Sequence, residues 1–370
     1  MEVARNDYDP DLFICVSNSR VQREGDEATT EPDEVPEATR GHNFQPLNFE
    51  ERQPILHITT SSIEDPARLF QLFVPETLVN TWVTYTNTAA AAMNPEERDK
   101  KTPWYPTNLS EVYTFLAILI YIGLHKEEEL EDYWRVPTPG DLIPDHPIAK
   151  FLPLCRFHQL FRLLRIYDED RLDRTETNDP LNYQKVDDFS SCLQGACMRI
   201  WGPGSRVAVD EAIIGYTGRS KLTITIPSKP DPTGFKVWVI AEGGFFLRWL
   251  FHTPNTTFGP AAGEITRRRP QELANRSLNP TQSVVVALVN LLPTATYHVF
   301  MDNLFSSPKL YRILRQRGIA ATGTARINSG INAELVEHKK QDNKGKLQWP
   351  WDYYEAIPTA DNQVRKNYDA

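Results

Sequence analysis

Arg206-Val207-Ala208-Val209-Asp210 and Tyr297-His298-Val299-Phe300-Met301-Asp302 are short apolar runs that each end in an acid. Between and around them the hydrophobic pattern keeps changing period. Lys221-Leu222-Thr223-Ile224-Thr225-Ile226 alternates, the mark of a strand with one buried face. Pro227 to Gly234 is a Pro- and Gly-bearing turn region, and Phe235-Lys236-Val237-Trp238-Val239-Ile240 reads as the next strand. Gly243-Gly244 turns the chain into Phe245-Phe246-Leu247-Arg248-Trp249-Leu250-Phe251. Residues 252–280 are Pro-rich and irregular. Ser283 to Leu292 has helical apolar spacing. Pro308 to Arg317 is a second helix, carrying Lys309, Arg312 and Arg315, and Ile319-Ala320-Ala321-Thr322-Gly323-Thr324 reads as a last buried strand.

Strands followed by helix, strand, helix, strand is the order of an RNase H-like mixed sheet. A fold does not by itself give a function, so the weight falls on where the acids stand. In such a sheet the first and fourth strands are neighbours, which puts Asp210 and Asp302 side by side. Two carboxylates a few Å apart repel, and Mg²⁺ (or Mn²⁺) relieves the repulsion with oxygen ligands and water. Two such ions about 4 Å apart can activate a water or a 3′-hydroxyl and stabilise the leaving oxygen of a phosphodiester. Lys and Arg side chains nearby would hold the strand by its phosphates. Taken singly, each Asp also reads as a turn or cap residue, and Asp302-Asn303 stands where it could cap the helix that follows. Glu211 is expected to face away from Asp210, because side chains alternate along a strand.

Charge is segregated along the chain. The net charge is −9, yet residues 191–346 hold 20 basic and 10 acidic side chains, against 5 and 13 in residues 1–60 and 13 and 22 in residues 61–190. The basic segment is a candidate polyanion surface, a solvated basic face being the plain alternative. Residues 1–58 read as a disordered acidic tail, since Glu24 to Glu37 has too little apolar surface to offset the entropy of ordering. Residues 59–195 read as a helical region. Ser62-Ile63-Glu64-Asp65-Pro66 looks like a helix start with Pro in the first turn, and Asn108-Leu109-Ser110-Glu111 precedes an apolar run to Leu124. That run is shorter than the about 20 residues a bilayer needs, so a buried helix is expected and no membrane partner. Arg156 to Ile166 is amphipathic, its Arg face a candidate for phosphates or for water. Residues 196–346 form the RNase H-like domain, with 252–280 as an insertion, and 347–370 read as a C-terminal tail. None of the four cysteines forms a CxxC pair, which leaves no zinc module in view and suggests reduced thiols. The first 40 residues are acidic and lack a leader's apolar core.

The wording around the acids is specific. Val209-Asp210-Glu211-Ala212-Ile213-Ile214-Gly215-Tyr216-Thr217-Gly218-Arg219-Ser220 resembles the motif at the first catalytic Asp of piggyBac transposases, and Met301-Asp302-Asn303-Leu304-Phe305-Ser306-Ser307 resembles the second. Lys229-Pro230 with Gly234-Phe235-Lys236 is similar to the family's "KP…G.K" segment, and Gly323-Thr324-Ala325-Arg326 to its "GT.R" strand. Gly123, Asp132-Tyr133-Trp134 and Arg156-Phe157 match its helical region, so the resemblance runs from about residue 65 to 345. It implies a helical dimerisation and DNA-binding region followed by a catalytic domain that nicks DNA with three or more Asp and Mg²⁺, forms hairpin ends and joins them at TTAA. Asp210 and Asp302 take the first two metal-ligand roles. Arg219, Lys221, Lys229, Lys236, Arg267, Arg268, Arg269 and Arg326 become the candidate DNA contacts. DNA is the expected partner, with no small-molecule substrate; a homodimer is an arrangement the resemblance allows, and a nuclear location follows from it.

The resemblance also has a gap. The family's third Asp lies in a "GVD" segment after a tryptophan-containing strand, and no such segment precedes Ala370. Asp352 and Asp361 are the nearest acids, in no matching motif. The expectation is therefore a core incomplete at its C-terminus: a DNA-binding transposase remnant without efficient transposition. Two other readings stand beside it, an active nuclease whose third acid comes from elsewhere, and a protein-interaction module.

Overall fold

A computed structural model describes residues 14–16, 44–48, 51–58, 64–93, 103–138, 140, 143–173, 183–227, 229, 231–253, 278–347, 354–359 and 361–369. The chain divides into two compact units, residues 58–196 and residues 1–57 with 197–370.

The first unit is helical: α1 (Pro66–Phe73), α2 (Glu76–Ala92), α3 (Leu109–Leu124), α4 (Leu154–Leu163) and most of α5 (Gln184–Ile200). α1 starts where Asp65 accepts the N–H groups of Ala67 (3.0 Å) and Arg68 (3.3 Å), and Pro66 fills the first position, whose N–H would lack a partner. Asn108 does the same for α3 through the N–H of Glu111 (3.0 Å). One apolar cluster joins Phe115, Ile118, Tyr133, Ile148, Leu152, Phe157 and Leu160; another joins Val74, Val79, Trp82 and Val112. Among the described residues no helix is long and apolar enough to cross a membrane. α4 departs from its sequence pattern. Arg156 is 2% exposed while Phe161 is 67% exposed. Glu111, on α3, holds the Arg156 guanidinium through both oxygens (2.8 and 2.7 Å), so this arginine is drawn inward and is not a phosphate contact.

The second unit is built on a nine-stranded mixed sheet. Its elements are β1 (Ile14–Val16), β4 (Arg206–Gly215), β5 (Ile224–Thr225), β6 (Thr233–Glu242), β7 (Phe245–Phe251), α6 (Pro280–Asn290), β8 (His298–Met301), α7 (Pro308–Gln316), β9 (Ala320–Ala325), α8 (Ala333–Asp342), β10 (Tyr354–Pro358) and β11 (Arg365–Asp369); β2 (Ile55–Leu56) and β3 (Trp201–Gly202) make a separate two-stranded ladder. β6 runs antiparallel to both β4 and β7, while β8 lies parallel to β4 and β9 parallel to β8. This is the expected mixed sheet, with β4, which carries Asp210, adjacent to β8, which leads to Asp302. α6 is buried at every position from Val284 to Val289 and packs with Val207, Val209, Trp238, Ile240, Leu250, Val299 and Leu310 in one core.

Four expectations about the strands change. β4 does not stop at Asp210 but continues to Gly215, because β6 stays paired with it as far as Gly215↔Gly234. A Cβ on Gly234 would stand 2.1 Å from the Ile214 carbonyl oxygen, so this close pairing requires glycine. The alternating run 221–226 contributes only the two residues of β5. Residues 347–370, expected as a tail, supply the antiparallel pair β10–β11, and residues 14–16, expected in a disordered segment, supply β1 between β9 and β11. β1 is parallel to both neighbours, so it satisfies backbone groups that would otherwise leave two open edges.

Candidate functional site

The site forms where two strands part. β8 is paired with β4 from Arg206↔His298 to Val209↔Met301 and then leaves the sheet. Asp210 and Asp302 are the next residue on each strand, so they stand side by side at the divergence. Asp210 is therefore mid-strand on one side, held by its pairing to Val239, and at an open edge on the other. A sequence reader sees an apolar run ending in an acid; the physical event is the departure of a neighbour.

Asp302 is fixed by the turn it begins. Its Oδ1 accepts the Leu304 N–H (2.8 Å), and its carbonyl accepts the Ser306 hydroxyl (2.9 Å). It does not cap the following helix: Ser307 does, accepting the Leu310 N–H (3.2 Å). Gly323 of β9 lies behind this turn, where a Cβ would meet the Met301 carbonyl oxygen at 2.2 Å and the Ser306 hydroxyl at 2.6 Å. Burial raises the Asp302 carboxyl above its usual value and the Asp210 charge adds to the rise, while the Leu304 N–H, Arg326 and Lys229 oppose it. The chemistry of the pair is thus two mutually repelling, hard oxygen donors with two cations in electrostatic reach.

Of the expected contacts, Lys229 and Arg326 stand within electrostatic reach of Asp302. Lys229, in the turn between β5 and β6, lies 3.6 Å from Glu211. Arg326 follows β9, and its Nε lies 3.5 Å from Asn303 Oδ1. Arg219 and Lys221 lie exposed in the connection between β4 and β5. Lys236, expected as a DNA contact, is interior. It is 7% exposed, with Nζ 3.8 Å from the Trp238 ring centroid, so its ammonium packs inside the sheet unit rather than facing a nucleic acid. Arg267, Arg268 and Arg269, like Asp352, lie outside the described residues. Asp361 is committed to Arg312 (2.6 Å): burial would raise its carboxyl, but the Arg312 and Thr359 bonds outweigh that and hold it low. Among the described residues no group of three or more His, Cys, Asp or Glu could hold a metal ion. Glu211 and Asn303 were not singled out as site residues; each adjoins an acid, and only the fold shows which cation it touches.

A family model described as Transposase IS4 matches residues 65–350, most of the chain. The chain belongs to that transposase family. Within it the likeness is to piggyBac proteins, as the motifs around the acids imply. Human PiggyBac transposable element-derived protein 2 is 27% identical over an alignment of 313 residues that covers 79% of this chain and 45% of that protein. The chain thus spans less than half the length of this curated relative. A cryo-EM structure of a piggyBac transposase synaptic complex with hairpin DNA superimposes with a TM-score of 0.58 at 21% identity, over 83% of this chain and 58% of that one. That likeness is one of fold. The segment matched to the transposase family contains both acids, Lys229 and Arg326.

Proposed function

We propose that this transposase-family chain is a DNA-binding core whose Asp210 and Asp302 hold a divalent cation, Mg²⁺ or Mn²⁺, and that these 370 residues alone do not transpose efficiently. One observation carries the reading: the register of β4 and β8 sets the two carboxylates next to each other, with Lys229 and Arg326 in electrostatic reach. Two hard oxygen donors fit such an ion, with water completing its shell. When bound there, the ion supplies an acidified water and charge stabilisation at a phosphodiester oxygen. Asp210 and Asp302 orient it, and Arg219, Lys221, Lys229 and Arg326 hold the strand by its phosphates. The expectation of low activity rests on the donor count among the described residues, since two carboxylates bind an ion more weakly than three. A nuclear location is part of the same proposal, resting on the expected DNA partner.

Calorimetry with Mn²⁺ tests the ion. Weak binding to the wild type that vanishes in Asp210→Ala supports the site; equal heats in both proteins would exclude the acid pair as its holder. Salt titration tests the nucleic acid. The logarithm of DNA affinity should fall with the logarithm of salt by about 0.9 per phosphate contact, and Arg219→Ala or Lys221→Ala should weaken all sequences alike. A response flat in salt would rule out backbone binding.

A further inference from the structure

Glu211 has no role in the reading above, yet it is the most unusual carboxylate near the site. Strand alternation sends it to the face opposite Asp210, beside its cross-strand partner Trp238, which is buried. Its side chain is only 8% exposed. Among the described residues buried Oε2 meets no hydrogen-bond donor, while Oε1 lies 3.6 Å from Lys229 Nζ. Taking a carboxylate out of water costs several kcal/mol unless it is well paired and hydrogen-bonded, so this burial does not serve stability.

The surroundings connect it to the acid pair. Phe305, three residues beyond Asp302, packs edge-on against Trp238 with ring centroids 5.8 Å apart. The turn that begins at Asp302 therefore extends over the face where Glu211 lies. Lys229 comes from a separate connection, the one between β5 and β6, with 35% of its side chain exposed. Its ammonium touches Glu211 and is felt by Asp302, so one face of the cation is anchored and the other is open to a ligand.

We infer that Glu211 is a positioning residue: it pins Lys229 beside the turn of Asp302, so that the ammonium takes a phosphate of the bound strand in a fixed place next to the acids. The inference rests on the DNA-binding reading above. A lysine on a connecting loop would otherwise sample many rotamers and lose entropy on binding. An anchored one is preorganised, and its charge stays where the phosphate must lie.

The test compares Glu211→Gln, Lys229→Gln and the double variant in the salt titration, with Mn²⁺ calorimetry on each. Each single variant should lower the salt slope by about 0.9, the loss of one phosphate contact. The double variant should lose no more than either, because one contact is removed by either route. Lys229→Arg should restore the slope, and Mn²⁺ binding should persist in all, since both ligands remain. A merely structural Glu211 would shift the melting temperature and leave the slope alone. Where Glu211→Gln does not fold, Glu211→Asp, which withdraws the carboxylate by one methylene, should show the same loss. A normal slope in the Glu211 variant with a reduced one in Lys229→Gln overturns the positioning role and keeps the lysine contact. Normal slopes in both, with Arg219→Ala weakened, overturn the proposal and leave DNA binding standing. A wild type that shows no salt-dependent binding overturns both.

Discussion

Arg156→Ala should destabilise the helical unit by about 3–5 kcal/mol, the cost of removing one partner from a buried ion pair. Arg156 is 2% exposed and four of its bonds are accounted for. Nε and Nη2 donate to the two Glu111 oxygens at 2.8 and 2.7 Å, Nη1 to Gln159 Oε1 at 3.0 Å and Nη2 to the Tyr105 carbonyl at 3.0 Å. The guanidinium carbon also stands 4.2 Å from the Trp104 ring centroid and 3.8 Å from that of Tyr105. Among the described residues alanine would leave Glu111, 13% exposed, as a carboxylate with only the hydroxyls of Thr107 (2.6 Å) and Tyr105 (3.5 Å) as partners. Urea unfolding followed by tryptophan fluorescence measures the loss. Arg156→Lys should recover part of it, because lysine keeps the charge but not the fork or the planar stacking. A loss under about 1 kcal/mol in the alanine variant would show that the pair is solvated instead. The pH dependence carries a second signature. Burial pushes the Glu111 carboxyl up, but the Arg156 and Thr107 bonds outweigh it and hold it below its usual value. Its contribution is therefore present above the unfolded pKa and lost as pH falls through the folded one. In Arg156→Ala the main opponents of burial are gone, and that acid-side loss should shrink.

His298 should make the sheet unit sensitive to mild acid. Its side chain is fully buried in β8, with Nε2 2.8 Å from the Thr322 hydroxyl on β9. Burial, helped by the Arg206 charge, lowers its pKa from 6.5 to about 4. Between those two values the unfolded chain binds the proton and the folded chain does not, so stability falls as pH falls through this window. At about 1.4 kcal/mol per pKa unit, full passage from 6.5 to about 4 removes about 3 kcal/mol. Above the unfolded value the residue adds no slope. His298→Gln keeps a polar partner for Thr322 and removes the titration, so its unfolding free energy should change less across the window. Identical slopes in the two proteins would mean that His298 is protonated in the folded state.

Much of this was legible along the chain because the relevant forces are local. Asp65-Pro66 and Asn108 start helices through their own side chains and φ restriction, within a few residues of sequence. The short apolar runs at 206–209 and 235–240 report strands, and the apolar run in α6 reports burial on every side. Arg156 and Lys236 were misread for a common reason. A long cation looks exposed in any sequence, and whether it turns inward depends on a carboxylate or ring supplied by another element: Glu111 from α3 for the first, and Trp238, with strand β6 in the middle of the sheet, for the second. The last strands were missed because β10 and β11 gain their stability from each other and from β1, far away in sequence.

Sequence alone thus determined the element types, the mixed-sheet class, the two acids and the transposase family, since these rest on side-chain period, capping and motif wording. Only tertiary structure decided the register that ends the β4–β8 pairing one residue before Asp210 and Asp302, that Lys229 meets Glu211, and that Lys236 and Arg156 are interior. Those facts depend on inter-strand register and on partners distant along the chain, and no local pattern encodes them.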